Sequence, residues 1–163
     1  MKLLSLLLGS LLLPTLFTSG CRKDPPPSVN DYVVFGHFYG FCSGEQCIEL
    51  YKYQGGKLYE DQRDYYPTST LPYDGKWVQL EDTLAVLGEE VRRSLPDSML
   101  LYTDSIFGMP DAVDQGGTYV ELNRGGVRYY WVMDNFQGGL PEYMQPFSEL
   151  VRERSRFISQ RFH

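Results

Sequence analysis

Hydrophobic and polar residues alternate through residues 31–41. Val33, Phe35, His37, Tyr39 and Phe41 fall on one side of an extended chain, and Tyr32, Val34 and Phe38 on the other. That period of two predicts a strand, and Gly36 and Gly40 within it predict bulges or a close backbone approach. Residues 48–53 repeat the pattern, with Ile48 and Leu50 opposite Glu49. Gly55-Gly56 predicts a two-residue hairpin turn, because both can take positive φ. Residues 57–61 form the returning strand, and the stretch from Tyr65 to Gly75 reads as loop.

The period then changes. Leu84, Leu87, Gly88, Val91 and Leu95 recur at helical spacing, so residues 82–94 predict a helix with Asp82 as its N-cap and Pro96 beyond its end. Residues 99–102 read as a short strand. A second hairpin follows over 118–123 and 127–134. With Arg124-Gly125 as its turn, Val120 and Leu122 share a face with Val127, Tyr129, Trp131 and Met133, and Glu121 meets Arg128 on the outer face. Residues 146–161 predict a last helix with an apolar stripe of Phe147, Leu150, Val151, Phe157 and Ile158. The order is β-β-β-α-β-β-α. The expected fold is α+β: two antiparallel β-hairpins forming one sheet, with two helices packed on one face.

The N-terminus carries a different signal. Met1-Lys2 precedes a leucine-rich run from Leu3 to Leu13, too short for a membrane span but suited to the core of a signal peptide. Ser19-Gly20-Cys21 follows. Small residues before a cysteine resemble the lipobox of bacterial lipoproteins, although Thr18 stands where an aliphatic residue is usual. Ordinary secretory cleavage, with Cys21 left free, is the other reading of the same segment. The expected organisation is a signal peptide over 1–20, a proline-rich tether over 21–30 and one globular domain over 31–163. Acyl chains on Cys21 would hold the protein in the membrane, at about 0.8 kcal/mol per buried CH₂. Arg22-Lys23-Asp24 resembles the start of surface-displayed lipoproteins of Bacteroidetes-type bacteria. The expected location is the outer membrane, facing the periplasm or the cell surface.

Charge narrows the partners. The chain has 15 basic and 21 acidic side chains; without Lys2 the mature form has 14 and 21, a net charge of −7. Such a surface has no basic stripe for nucleic acid. Thirteen tyrosines favour strands and need hydrogen-bonded tips when packed. Of the three cysteines, Cys42 and Cys47 remain after lipidation. In an oxidising compartment they predict a disulfide; a redox or metal pair is the alternative, with His37 the only imidazole nearby.

No motif announces catalysis. There is no G-x-S-x-G elbow, and His163 is the final residue, so serine–histidine machinery would have to use His37. Asp104, Asp111 and Asp114 could offer oxygens to calcium, but their spacing is not that of an EF-hand. Arg154 falls near the centre of the last helix's apolar stripe, where a guanidinium needs a carboxylate or an anion. The candidate binding residues are therefore His37, Tyr39, Asp111, Asp114 and Arg154. No cofactor and no metal site is expected.

Several segments together resemble a group of uncharacterised small lipoproteins of Bacteroidetes-type bacteria. They are Val34-Phe35-Gly36 through Gly40-Phe41-Cys42, Cys47-Ile48-Glu49-Leu50-Tyr51-Lys52, Lys57-Leu58-Tyr59-Glu60-Asp61 and Tyr66-Pro67. Phe107-Gly108, Pro110-Asp111, Asp114-Gln115-Gly116-Gly117 and Leu140-Pro141-Glu142-Tyr143 continue the likeness. Where that group has a C-P-D-C spacing, this chain has Met109-Pro110-Asp111-Ala112. The resemblance implies location and fold but no activity. The expectation is a lipid-anchored, non-catalytic module that binds an unidentified protein or glycan or acts structurally. An envelope hydrolase using acidic residues and a small protein inhibitor of an enzyme are the alternatives.

Overall fold

The computed structural model describes residues 28, 30–67, 73–102 and 105–162. The signal peptide, the lipidation site Cys21, most of the tether, Asp104 and His163 lie outside them. The chain folds as α+β around one mixed sheet of seven strands: β1 Tyr32–Phe38, β2 Ile48–Gln54, β3 Lys57–Asp61, β4 Trp77–Gln79, β5 Ile106–Phe107, β6 Gly117–Arg124 and β7 Val127–Asp134. The strand order is β4-β3-β2-β1-β6-β7-β5, antiparallel except where β5 runs parallel to β7. Helices α1 (Ala85–Ser94) and α2 (Gln145–Phe162) complete the fold.

Two expected hairpins thus become part of a larger sheet. Strands β4 and β5 have three and two residues, too few for an alternation to register. The strand expected at 99–102 is a 3₁₀ turn, Asp97–Leu101, which drives Met99 into the core. Asp82 makes no side-chain cap; it opens a 3₁₀ turn, and α1 starts after Leu84. The β6–β7 turn is Gly125-Gly126, because both glycines adopt positive φ (61° and 82°), so the register is two residues from the expected one. A shift of two preserves the faces: Val120 sits opposite Trp131 and Leu122 opposite Tyr129.

Residues alternate between two cores. Val33, Phe35, Tyr51, Leu58, Val120, Leu122, Trp131 and Met133 point to one side. There they meet Leu84 just before α1, Val91 of α1, and Phe147, Val151 and Ile158 of α2. Val34, Phe38, Leu50, Tyr119 and Val132 point to the other, where Tyr73 covers them. Mid-sheet, Gly36 has no room for a side chain, since a Cβ would lie 1.8 Å from the Glu49 carbonyl oxygen.

The second face is buried rather than solvated, which changes the part played by Glu121. It is 1 % exposed. Tyr32 and Tyr119 hydroxyls donate to it at 2.7 and 2.8 Å, and the Tyr73 N–H at 3.1 Å. Arg128 approaches diagonally, at 4.0 Å. A buried carboxylate needs such donors. Asp61 fastens the same covering segment by accepting from the Tyr73 hydroxyl and the Lys76 N–H, both at 2.5 Å. Three of the thirteen tyrosines therefore serve buried acids. Burial first, and then the carboxylate, push the Tyr32, Tyr73 and Tyr119 phenols up.

Candidate functional site

The described part of β1 starts where Asp31 accepts the Gly125 N–H at 2.9 Å, beside the β6–β7 turn. It ends at Phe38, from which the chain enters the loop to β2. Cys42 and Cys47 are disulfide-bonded and close that loop. The Tyr39 N–H donates to the Cys47 carbonyl at 2.8 Å, so the loop folds back on the strand ends. Phe41, expected to share a strand face with Val33 and Phe35, is instead 84 % exposed because the strand has ended before it.

Helix α2 crosses this end of the sheet. Its buried face runs through Phe147, Val151, Ser155, Ile158 and Ser159, whereas Phe157 is exposed. The two serines, one turn apart, meet polar groups of the strands. Ser155 Oγ lies 2.8 Å from His37 Nδ1, and Ser159 Oγ–H donates to Glu49 Oε1 at 3.0 Å. His37 and Glu49 are cross-strand partners. The Tyr51 hydroxyl donates to Glu49 Oε2 at 2.6 Å. A buried polar layer thus replaces the apolar core beneath the end of α2.

This layer opens into a cleft of about 220 Å³ lined by His37, Tyr39, Gln46, Arg156, Ser159 and Gln160. The His37 and Tyr39 rings meet edge to face, with centroids 5.8 Å apart. Arg156 Nη2–H donates to the Tyr39 hydroxyl at 3.0 Å. Burial first, and then the Arg156 charge, lower the His37 pKa to about 4 against the opposing effect of a hydrogen bond to the Gln46 backbone. The imidazole is therefore neutral at neutral pH.

The serine–histidine contact is not arranged for nucleophilic attack. The Ser155 hydroxyl sits between His37 Nδ1 at 2.8 Å and the Arg152 carbonyl at 3.1 Å, and the imidazole tautomer decides which of the two takes its proton. Ser155 is fully buried, at 0 % exposure, and Glu49 engages the other serine.

Of the sequence candidates, only His37 and Tyr39 reach this cleft. Asp111 accepts the Gly116 N–H at 3.0 Å and the Tyr66 hydroxyl at 3.4 Å, and packs where a Gly40 side chain would be. Asp114 is exposed in the same loop; both aspartates have positive φ (61° and 57°). Among the described residues, no group of three or more His, Cys, Asp or Glu side chains could hold a metal ion. Arg154 sits off the centre of the buried face and forks onto Glu90 of α1, at 2.7 and 2.8 Å. That pairing holds the Glu90 carboxyl below its usual range.

Sequence reasoning missed Gln46, Glu49, Ser155, Arg156, Ser159 and Gln160. One signal was present: Ser155 and Ser159 occupy consecutive turns of the helix side that carries Phe147, Val151 and Ile158. Compared with known proteins, the chain matches no protein-family model and no curated protein sequence. Among the described residues, no helix is long and apolar enough to cross a membrane.

Proposed function

We propose that this chain is an envelope lipoprotein, held on the outer membrane through Cys21, whose domain over 31–163 is a non-catalytic binding module. The leucine run and Ser19-Gly20-Cys21 support the anchor. The observation that carries the binding reading is the polarity of β1. The chain enters beside Asp31 and the β6–β7 turn, and the cleft lies past the opposite end of the same strand. An anchor at one pole leaves the cleft and the disulfide loop facing outward, toward a protein or glycan partner. The groups beneath the cleft are committed to one another, which favours recognition over turnover. An inhibitor is the second reading: the exposed Phe41 beside a disulfide-closed loop suits insertion into a partner's groove.

Protease shaving of intact cells, with Cys21→Ala as control, tests the anchor. Release of wild type into the medium would end that reading. A photo-crosslinking residue at Gln160 should capture a discrete partner, while one at Lys57, at the entry pole, should not. Equal capture from both positions, or none from Gln160, would count against the binding module.

A further inference from the structure

We propose that the cleft between the Cys42–Cys47 loop and the last turns of α2 is an oxyanion site, in which Arg156 receives a carboxylate, sulfate or phosphate group. The inference rests on the binding-module reading and names its ligand class. Arg156 is the anomaly that carries it. Among the described residues, seven other arginines, from Arg63 to Arg161, lie within 4.0 Å of a carboxylate oxygen. Arg156 has no such partner among them; its described contact is the neutral Tyr39 hydroxyl. In a chain of net charge −6, an uncompensated guanidinium beside a cleft is not explained by shortage of acids.

The surroundings keep that charge available. Glu49 lies behind Ser159, with a serine proton on one oxygen and a tyrosine proton on the other, and Glu153, one turn before Arg156 on α2, pairs with Arg154. Arg161, in the last turn of α2, answers the negative pole of that helix. Because Tyr39 accepts from Arg156, its own hydroxyl proton remains to be donated. Gln46 and Gln160 complete the lining, and their exposed side chains carry amide N–H groups that can donate. A planar guanidinium with a hydroxyl and amides at its side is suited to oxyanions. The volume of about 220 Å³ admits such a group with a few attached atoms. An anion there would also relieve the repulsion between Arg156 and a protonated His37, so binding should carry proton uptake with it.

The two imidazoles of the chain make this measurable. The full chain, isotopically labelled at histidine and purified in detergent, would be titrated with sodium acetate, sulfate and phosphate, against chloride at fixed ionic strength. His37→Gln identifies the His37 signal. Saturable shifts of that signal are expected, with the His37 titration midpoint raised by a unit or more at saturation. Arg156→Gln should weaken binding at least tenfold without moving the melting temperature. Saturation by acetate alone assigns a carboxylate ligand; saturation by sulfate and phosphate alone assigns a tetrahedral one. Shifts that stay linear, follow ionic strength or survive in Arg156→Gln would overturn the site. Capture of a partner from Gln160 with no oxyanion binding would leave the module standing and remove the oxyanion class. Oxyanion binding without capture would do the reverse.

Discussion

Acidification from pH 7 to pH 5 should remove about 2 kcal/mol of stability from this domain through His37 alone. In the folded protein burial, reinforced by the charge of Arg156, lowers the imidazole to about 4. In the unfolded chain it titrates near 6.5. The folded value is the lower one, so the unfolded chain takes up the proton first. The stability contributed by neutral His37 is therefore intact above about pH 6.5, declines as pH falls toward 4, and is gone below that. A gap of about 2.5 pH units at about 1.4 kcal/mol each sets a limiting loss of about 3 kcal/mol, of which about 2 has gone at pH 5. The carboxylates with lowered values act elsewhere. Glu89, lowered to about 2 chiefly by Arg92, and Glu90, lowered by Arg154, contribute above their unfolded values and lose that contribution only below pH 4.5. Urea unfolding followed by the fluorescence of buried Trp131 would compare wild type with His37→Gln at both pH values. Wild type should lose about 2 kcal/mol more than the variant. Equal losses, within about 0.5 kcal/mol, would refute the account of His37 as a buried neutral group.

Other substitutions test the frame around the site. Gly36→Ala would place a Cβ against the Glu49 carbonyl in the middle of the sheet; urea denaturation should show a loss of about 3 kcal/mol, or the protein should fail to fold. Replacing Cys42 and Cys47 by serine opens a six-residue loop, and the stability measured with and without reductant should fall by about 2 kcal/mol. The Arg154–Glu90 fork joins the two helices. A double-mutant cycle with Arg154→Ala and Glu90→Ala should return a coupling of about 0.5–1 kcal/mol, consistent with a partly exposed pair.

The five longer strands and both helices were legible because their periods of two and 3.6 persist long enough to be counted. The facing of Val120 and Leu122 was legible even with the wrong turn, since the error was an even number of residues. Burial of the second face was not legible. Glu121 looks like a solvent-side residue until the covering segment supplies a tyrosine N–H, and that contact spans 48 residues of sequence. Half of the cleft could be glimpsed in the sequence, because His37 and Tyr39 share a strand face. The other half comes from α2, more than a hundred residues away, and only the crossing of that helix over the strand ends joins them. Arg154 attracted attention by its place in the stripe and is spent on Glu90. Arg156, two residues on, is the arginine left facing the cleft.

The sheet has its shortest strands at its two margins. Trp77–Gln79 lies at one; at the other, Ile106–Phe107 pairs only with Val132 and Met133 of β7, so residues 127–131 of that eight-residue strand form the open edge. An unpaired strand edge is a template on which another chain can add itself, and the five residues 127–131 give such a graft more to hold than either short strand does. For a protein proposed to be confined to a two-dimensional surface, where copies meet constantly, that stretch is where zippering into fibres would begin, and the exposed Arg128 within it is a charge that opposes the pairing of two such edges. The register that builds the cleft lies among the interior strands, out of reach of that hazard.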